Sequence, residues 1–211
     1  MSYTLNTEAA KSADTMSGRI EETGKYIGTF TRAEDVMSSK GTEGIDMSFK
    51  TADGLTADYL SLWTRNKDGK EIFGFKILMA VMTCMKAKTL TKTAGTVDKY
   101  DQAQGKRVQQ QADIYPELMN KPIGLLLQKE EYLKKDNTIG TKMNIVGAFD
   151  ASSELTASEI LDRKTKPELL ERMVASLKDK KLPASAGNRN NEPPAYDAPP
   201  FMDDDLSDIP F

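Results

Sequence analysis

A mainly β domain is predicted over residues 24–150, and three observations predict it. Short runs rich in β-branched and aromatic residues recur between turn residues. One of them, Ile45-Asp46-Met47-Ser48-Phe49-Lys50, alternates apolar with polar residues without a break. A single stretch, Glu71 to Lys88, abandons that two-residue period for a helical one. At 211 residues, 38% apolar and 29% charged, the chain is long enough for one such core with appendages, or at most two small domains.

Residues 1–23 are polar and weakly periodic, and read as an N-terminal arm, either a short helix or a loose segment. The first strand is Lys25 to Arg32; the second is Ile45 to Lys50, closing near the turn signal Asp53-Gly54. The third is Ala57 to Thr64, ended by Asn66-Lys67-Asp68-Gly69. In the helix that follows, Phe75, Leu78, Met79, Met82 and Met85 are spaced to share a buried face, with the methionines as core filler. Residues 89–113, polar and rich in Lys, Gln and Thr, are a long loop or a β-hairpin. Two more strands follow, Ile123 to Lys129 and Met143 to Phe149.

Five strands with a helix between the third and fourth is the order of the five-stranded OB-fold barrel, whose open face accommodates single strands. Another small β-barrel or an α+β sandwich is the alternative. Beyond it, residues 151–182 form a helical extension, with Thr156 and Glu159 spaced as a capping box and Pro167 opening a helix through Leu170, Met173, Val174 and Leu177. Residues 183–202, rich in Pro, Asn, Ala and Gly, have the composition of a disordered linker, and 203–211 form an acidic tip.

The chain has no histidine, which removes the commonest general base and the usual nitrogen ligand for metals. Its lone Cys84 makes neither an internal disulfide nor a cysteine-only zinc site and fits a reducing compartment. Gly140-Thr141-Lys142 is not a phosphate-cradling loop, and Asp46, Asp58 and Asp150 are spaced like ordinary strand and loop carboxylates. No enzyme activity, cofactor or metal is therefore expected. No run reaches the roughly 20 apolar residues of a membrane span, and Met1 to Asn6 lacks the pattern of a secretory signal. A cytoplasmic location without membrane contact follows as the expectation.

Charge is divided unevenly. Residues 183–211 hold one arginine against six carboxylates, a net −5, while residues 1–182 hold 28 basic and 26 acidic side chains, a net +2. A mildly basic body suits a polyanion, and sequence-tolerant binding of single strands needs aromatic faces beside cations. If Leu60 and Leu62 face the core, the pleat sends Tyr59, Ser61, Trp63 and Arg65 to the other face as a stacking platform. The competing reading buries Tyr59 and Trp63 under a second apolar layer. Ile45, Met47 and Phe49 point inward on the second strand, leaving Ser48 and Lys50 outward. Arg32 falls on the side of Tyr26 and Phe30, as a groove wall or at the rim of the core. Lys86, Lys88, Lys92, Lys99, Lys106 and Arg107, with Tyr100 among them, suit a flap over a bound strand, although each charge taken alone is more often merely solvated.

The end of the chain, Asp203-Asp204-Asp205-Leu206-Ser207-Asp208-Ile209-Pro210-Phe211, couples four aspartates to an apolar close. Ile209 and Phe211 are placed to anchor in a pocket while the carboxylates meet a basic rim. With Met202 before it, this segment resembles the acidic Asp-Ile-Pro-Phe tip of bacterial single-stranded DNA-binding proteins, in a form suggestive of a bacteriophage-encoded relative. The resemblance implies an OB barrel that coats single-stranded DNA during replication, recombination and repair in the host cytoplasm. It also implies that Asp208, Ile209, Pro210 and Phe211, assisted by Asp203, Asp204 and Asp205, recruit replication, recombination and repair proteins. Homo-oligomerisation stays open, because the body departs from the bacterial pattern: it lacks a close counterpart of the N-terminal strand and adds residues 150–182. An adaptor that displays the tip without binding DNA, and a strand-annealing protein, are the rival readings.

Overall fold

The computed structural model describes residues 4, 5, 7, 18–101, 106–134 and 136–182. The linker at 183–202 and the tip at 203–211, with Asp203, Asp204, Asp205, Asp208, Ile209, Pro210 and Phe211, lie outside the described residues. Within them the chain is mainly β, a strongly curled, open sheet that forms a half-barrel.

Eight strands are present among the described residues, against the five expected. They are β1 (Gly18–Arg19), β2 (Gly24–Met37), β3 (Glu43–Thr51), β4 (Leu55–Arg65), β5 (Thr93–Asp101), β6 (Lys106–Ile114), β7 (Pro122–Leu133) and β8 (Ile139–Phe149). The five expected strands are β2, β3, β4, β7 and β8, each longer than its apolar run. Ladder hydrogen bonds come from the backbone, so pairing continues into polar residues that carry no hydrophobic signal. The two-residue β1 runs parallel to β4, pairing Gly18 with Leu55 and Arg19 with Thr56, and Ile20 behind it is buried in the core. Of the two readings of residues 89–113, the hairpin holds: β5 and β6 pair from Thr93↔Ile114 to Asp101↔Lys106.

Curling depends on β2. Its first half pairs with β7, from Gly24↔Leu127 to Thr29↔Pro122, while β3 runs along its other edge to Met37↔Glu43. Near its end Glu34 pairs with Ile114 of β6, so one strand joins three partners. A bulge at Thr31 lets the strand bend between the two halves. Gly28 permits the close approach there, since a Cβ would lie 2.2 Å from the Lys50 carbonyl oxygen. β8 pairs only with β7 among the described residues, and no ladder joins it to β4.

The main core lies inside the curl, built from Phe30, Met47, Phe49, Leu60, Leu118, Ile123, Leu125 and Leu127, with the Phe30 and Phe49 rings edge to face at 5.8 Å. Helix α1 (Phe73–Cys84) closes one side, packing on β4 and β8. Its buried stripe is Gly74, Ile77, Leu78, Val81 and Cys84, with Met85 beyond. The expected stripe shared Leu78 and Met85 but also took in Met79, which faces solvent. Phase is set by Gly74, where a Cβ would sit 2.2 Å from the Trp63 carbonyl oxygen, so the helix starts with its backbone against β4.

The helical extension exists as α2 (Ala157–Leu161) and α3 (Leu169–Ser176). Thr156 and Glu159 form the anticipated capping box. Leu170 packs with Leu126 and Phe149 in a second small core on the outer side of β7 and β8. Among the described residues, no helix is long and apolar enough to cross a membrane.

Candidate nucleic-acid interface

Three bulges decide which side chains reach the outer face of β2, β3 and β4, at Thr31, at Asp58–Tyr59 and at Thr64. In β2 the extra residue Thr31 separates Phe30, opposite Phe49 in the core, from Arg32, opposite Ser48. Arg32 therefore faces away from Phe30, not with it as the unbroken alternation implied. In β4 the register passes from Met47↔Leu60 to Phe49↔Ala57, so Asp58 and Tyr59 together oppose Ser48. This restores Ala57 and Leu60 to the core and pushes Tyr59 out at φ 61°, a left-handed conformation rare for a bulky residue. Tyr59 is 57% exposed.

Beneath Tyr59 lies a charged cluster. The Arg32 guanidinium, only 6% exposed as a residue, donates from Nη1 to Glu34 Oε2 at 2.8 Å, from Nη2 to Asp46, and from Nε to Ser48 Oγ at 3.2 Å. Ser61 Oγ donates to the other Asp46 oxygen at 2.6 Å. The Tyr59 ring sits 5.9 Å from the guanidinium carbon, a cation–π distance. Ser48 thus points outward as expected, but into this buried network rather than to water.

The β5–β6 hairpin leans over this face. β5 begins beside Glu34 through Thr93↔Ile114↔Glu34, yet Lys99 returns its ammonium to Glu34 Oε1 at 2.6 Å. Six residues of straight strand would carry Lys99 about 20 Å away, so the hairpin coils back across the sheet. Its root is fixed at Asp35, which accepts from Lys92 at 2.5 Å and from the Tyr115 hydroxyl at 2.8 Å. Hydrogen bonding to Asp35 raises the Lys92 pKa, and burial followed by the same carboxylate raises that of Tyr115.

The remaining expected residues are spread out. Lys50 is exposed on β3. Trp63 is half-buried, its ring over Gly44, where a Cβ would meet ring atom Cε3 at 2.9 Å. It lies about 13 Å along β4 from Tyr59. Arg65 next to it is exposed, its guanidinium 5.7 Å from the Phe75 ring. Lys86, at φ 55°, and Lys88 are exposed in the loop after α1, and Lys106 is exposed at the start of β6. Tyr100 and Arg107 are paired in the hairpin ladder, and their side chains lie outside the described residues. The structure thus unites Arg32, Tyr59 and Lys99, whereas Trp63 and Arg65 do not share a face as the unbroken alternation implied: the extra residue Thr64 sets them opposite adjacent residues, and Arg65 turns to Phe75.

Sequence reasoning missed a groove at the open side of the half-barrel. Residues 18–21 enter the gap between β4 and β8, and the space left over has a volume of about 350 Å³. Arg19, Glu21, Asp58, Tyr59, Lys129, Tyr132, Lys142 and Met143 are among the residues that line it. Tyr132 lies across Gly140 of the facing strand, where a Cβ would be 2.8 Å from its ring. Glu130 steadies the wall, receiving Lys142 and Lys180 at 2.9 Å each and the Asn144 amide at 2.5 Å. Burial pushes the Glu130 pKa up, but these donors outweigh it and bring it down to about 2. The sequence signal was present in Lys129 to Tyr132 beyond the apolar run, but nothing local says that β1 leaves a gap there.

No protein-family profile matches the chain, and no curated protein matches it either.

Proposed function

We propose that the protein binds and coats single-stranded DNA with little sequence preference, in an OB-type arrangement. In this reading β2, β3, β4, β7 and β8 are the five barrel strands, α1 sits between the third and fourth, and the β5–β6 hairpin is an insertion after the helix. Tyr59 is the observation that carries the proposal. A bulky aromatic held in a left-handed conformation, more than half exposed and seated on a buried arginine, costs stability of order 1–3 kcal/mol. A stacking surface for bases gives that cost a use. Lys50, Lys86, Lys88, Lys99, Lys106 and Arg107, with Tyr100, Trp63 and Arg65, would follow the phosphates and add stacking. The Asp-Ile-Pro-Phe segment would recruit replication, recombination or repair proteins.

The adaptor reading has one observation in its favour. Arg32, Lys92 and Lys99 already have carboxylate partners within the fold, so much of the expected positive charge is internally balanced. A fluorescence titration of Trp63 with oligo(dT), with gel shifts and equal-length duplex at several salt concentrations, separates the two. Binding of the single strand that weakens steeply with salt is the expected outcome. No binding by either measurement at low salt would leave the adaptor as the better reading.

A further inference from the structure

We infer that the groove between β4, β7 and β8 is a nucleotide subsite, separate from the outer sheet face and made available because the barrel stays open; this inference rests on the single-strand reading. In a closed barrel the edges of β4 and β8 would pair and no space would remain. Here residues 18–21 fill only part of the gap, and the remainder is at the lower end of the size range of small-molecule sites, enough for one nucleotide unit.

The lining combines aromatic faces with cations, and with the carboxylates of Glu21 and Asp58. Tyr59 and Tyr132 offer two exposed aromatic surfaces on opposite walls, one from β4 and one from β7. Both rings are held by backbone features: Tyr59 by its bulge, and Tyr132 by Gly140, whose missing Cβ lets the ring lie across β8. Arg19 is exposed and Lys129 half-exposed at the same groove, which Glu21 and Asp58 also line, so the cations that would meet a phosphate stand beside carboxylates. Lys142 is committed to Glu130 and serves as part of the wall. Tyr59 also borders the Arg32 cluster, so a strand crossing the sheet face passes into the groove without leaving a stacking surface.

The test is made on the full chain with oligo(dT) bearing 5-iododeoxyuridine, photocrosslinked and mapped, together with affinities of Tyr132→Ala, Tyr132→Phe and Arg19→Gln. Crosslinks at Tyr59 and Tyr132, a loss of about tenfold or more in Tyr132→Ala, and recovery in Tyr132→Phe are expected. Arg19→Gln should lower the salt slope by about one. It also keeps the test open should Tyr132→Ala unfold, which a thermal melt reveals. If wild type binds but crosslinks avoid both tyrosines and the variants bind as wild type, the subsite is wrong while the single-strand reading stands. If wild type binds no oligo(dT) at all, both fall together.

Discussion

Arg32 shows how a side chain can carry a nucleic-acid signature and yet be required by the fold. Its guanidinium is enclosed by Glu34, Asp46 and Ser48, with Tyr59 above it. Removing it leaves Asp46 buried without its cation and Glu34 with Lys99 alone. Arg32→Ala should therefore cost about 3–5 kcal/mol, measured by urea unfolding, whereas a surface arginine that merely touched phosphate would change stability by only about 0.5 kcal/mol. A neutral result would mean that the cluster is solvated and Arg32 is free to bind. Part of this cluster was legible in the sequence: Arg32, Ser48 and Tyr59 stood out as candidates, whereas Asp46 read as an ordinary strand carboxylate and Glu34 carried no signal. Their mutual placement was not, because it depends on the single-residue bulges at Thr31 and at Asp58–Tyr59. Neither has a glycine or proline to announce it, and each inverts the face of every residue beyond it.

At the scale of elements, strong periodicity was readable and attachments between distant segments were not. Strict alternation in Ile45 to Lys50 and the apolar run Ile123 to Leu127 correspond to β3 and β7, whereas β1 has no periodicity to detect in two residues. The helical extension was visible through its capping box, but the carboxylate of that box does more than cap. Glu159, fully buried, accepts from the Thr156 amide and hydroxyl at 2.9 Å each on one oxygen. Its other oxygen accepts from the Glu168 and Leu169 amides at 2.7 and 2.9 Å, tying α2 to the start of α3. Burial opposes the charge, but these four donors bring its pKa from the ordinary 4.5 down to about 2. A carboxyl whose folded pKa lies below its unfolded one binds its proton less readily in the fold. Its stabilisation is complete above pH 4.5 and is lost as the pH falls towards 2. Glu159→Gln would turn an amide NH₂ towards one pair of those donors. It should cost about 2 kcal/mol at neutral pH, a gap that narrows in melts between pH 4.5 and 2. A gap independent of pH would show that shape, not charge, joins the two helices.

For the whole molecule, the division of charge gives the most direct expectation. The four aspartates of residues 203–211 take the chain's net charge from −3 to +1 when removed. If the basic body binds a polyanion, those carboxylates compete with it for the same cations and repel the ligand. A chain ending at Met202 should then bind oligo(dT) as tightly as the full chain or more tightly at low salt. The difference should fade as the Debye length shrinks from about 30 Å at 0.01 M to about 8 Å at 0.15 M. Recruitment of replication or repair proteins, read by pull-down on DNA-bound protein, should be lost in the same variant. Body and tip would then be separable, one reading the phosphates and the other a protein pocket. Should truncation instead abolish oligo(dT) binding, the tip would belong to the binding surface itself, and the proposed split of labour between Tyr59 and Phe211 would be wrong.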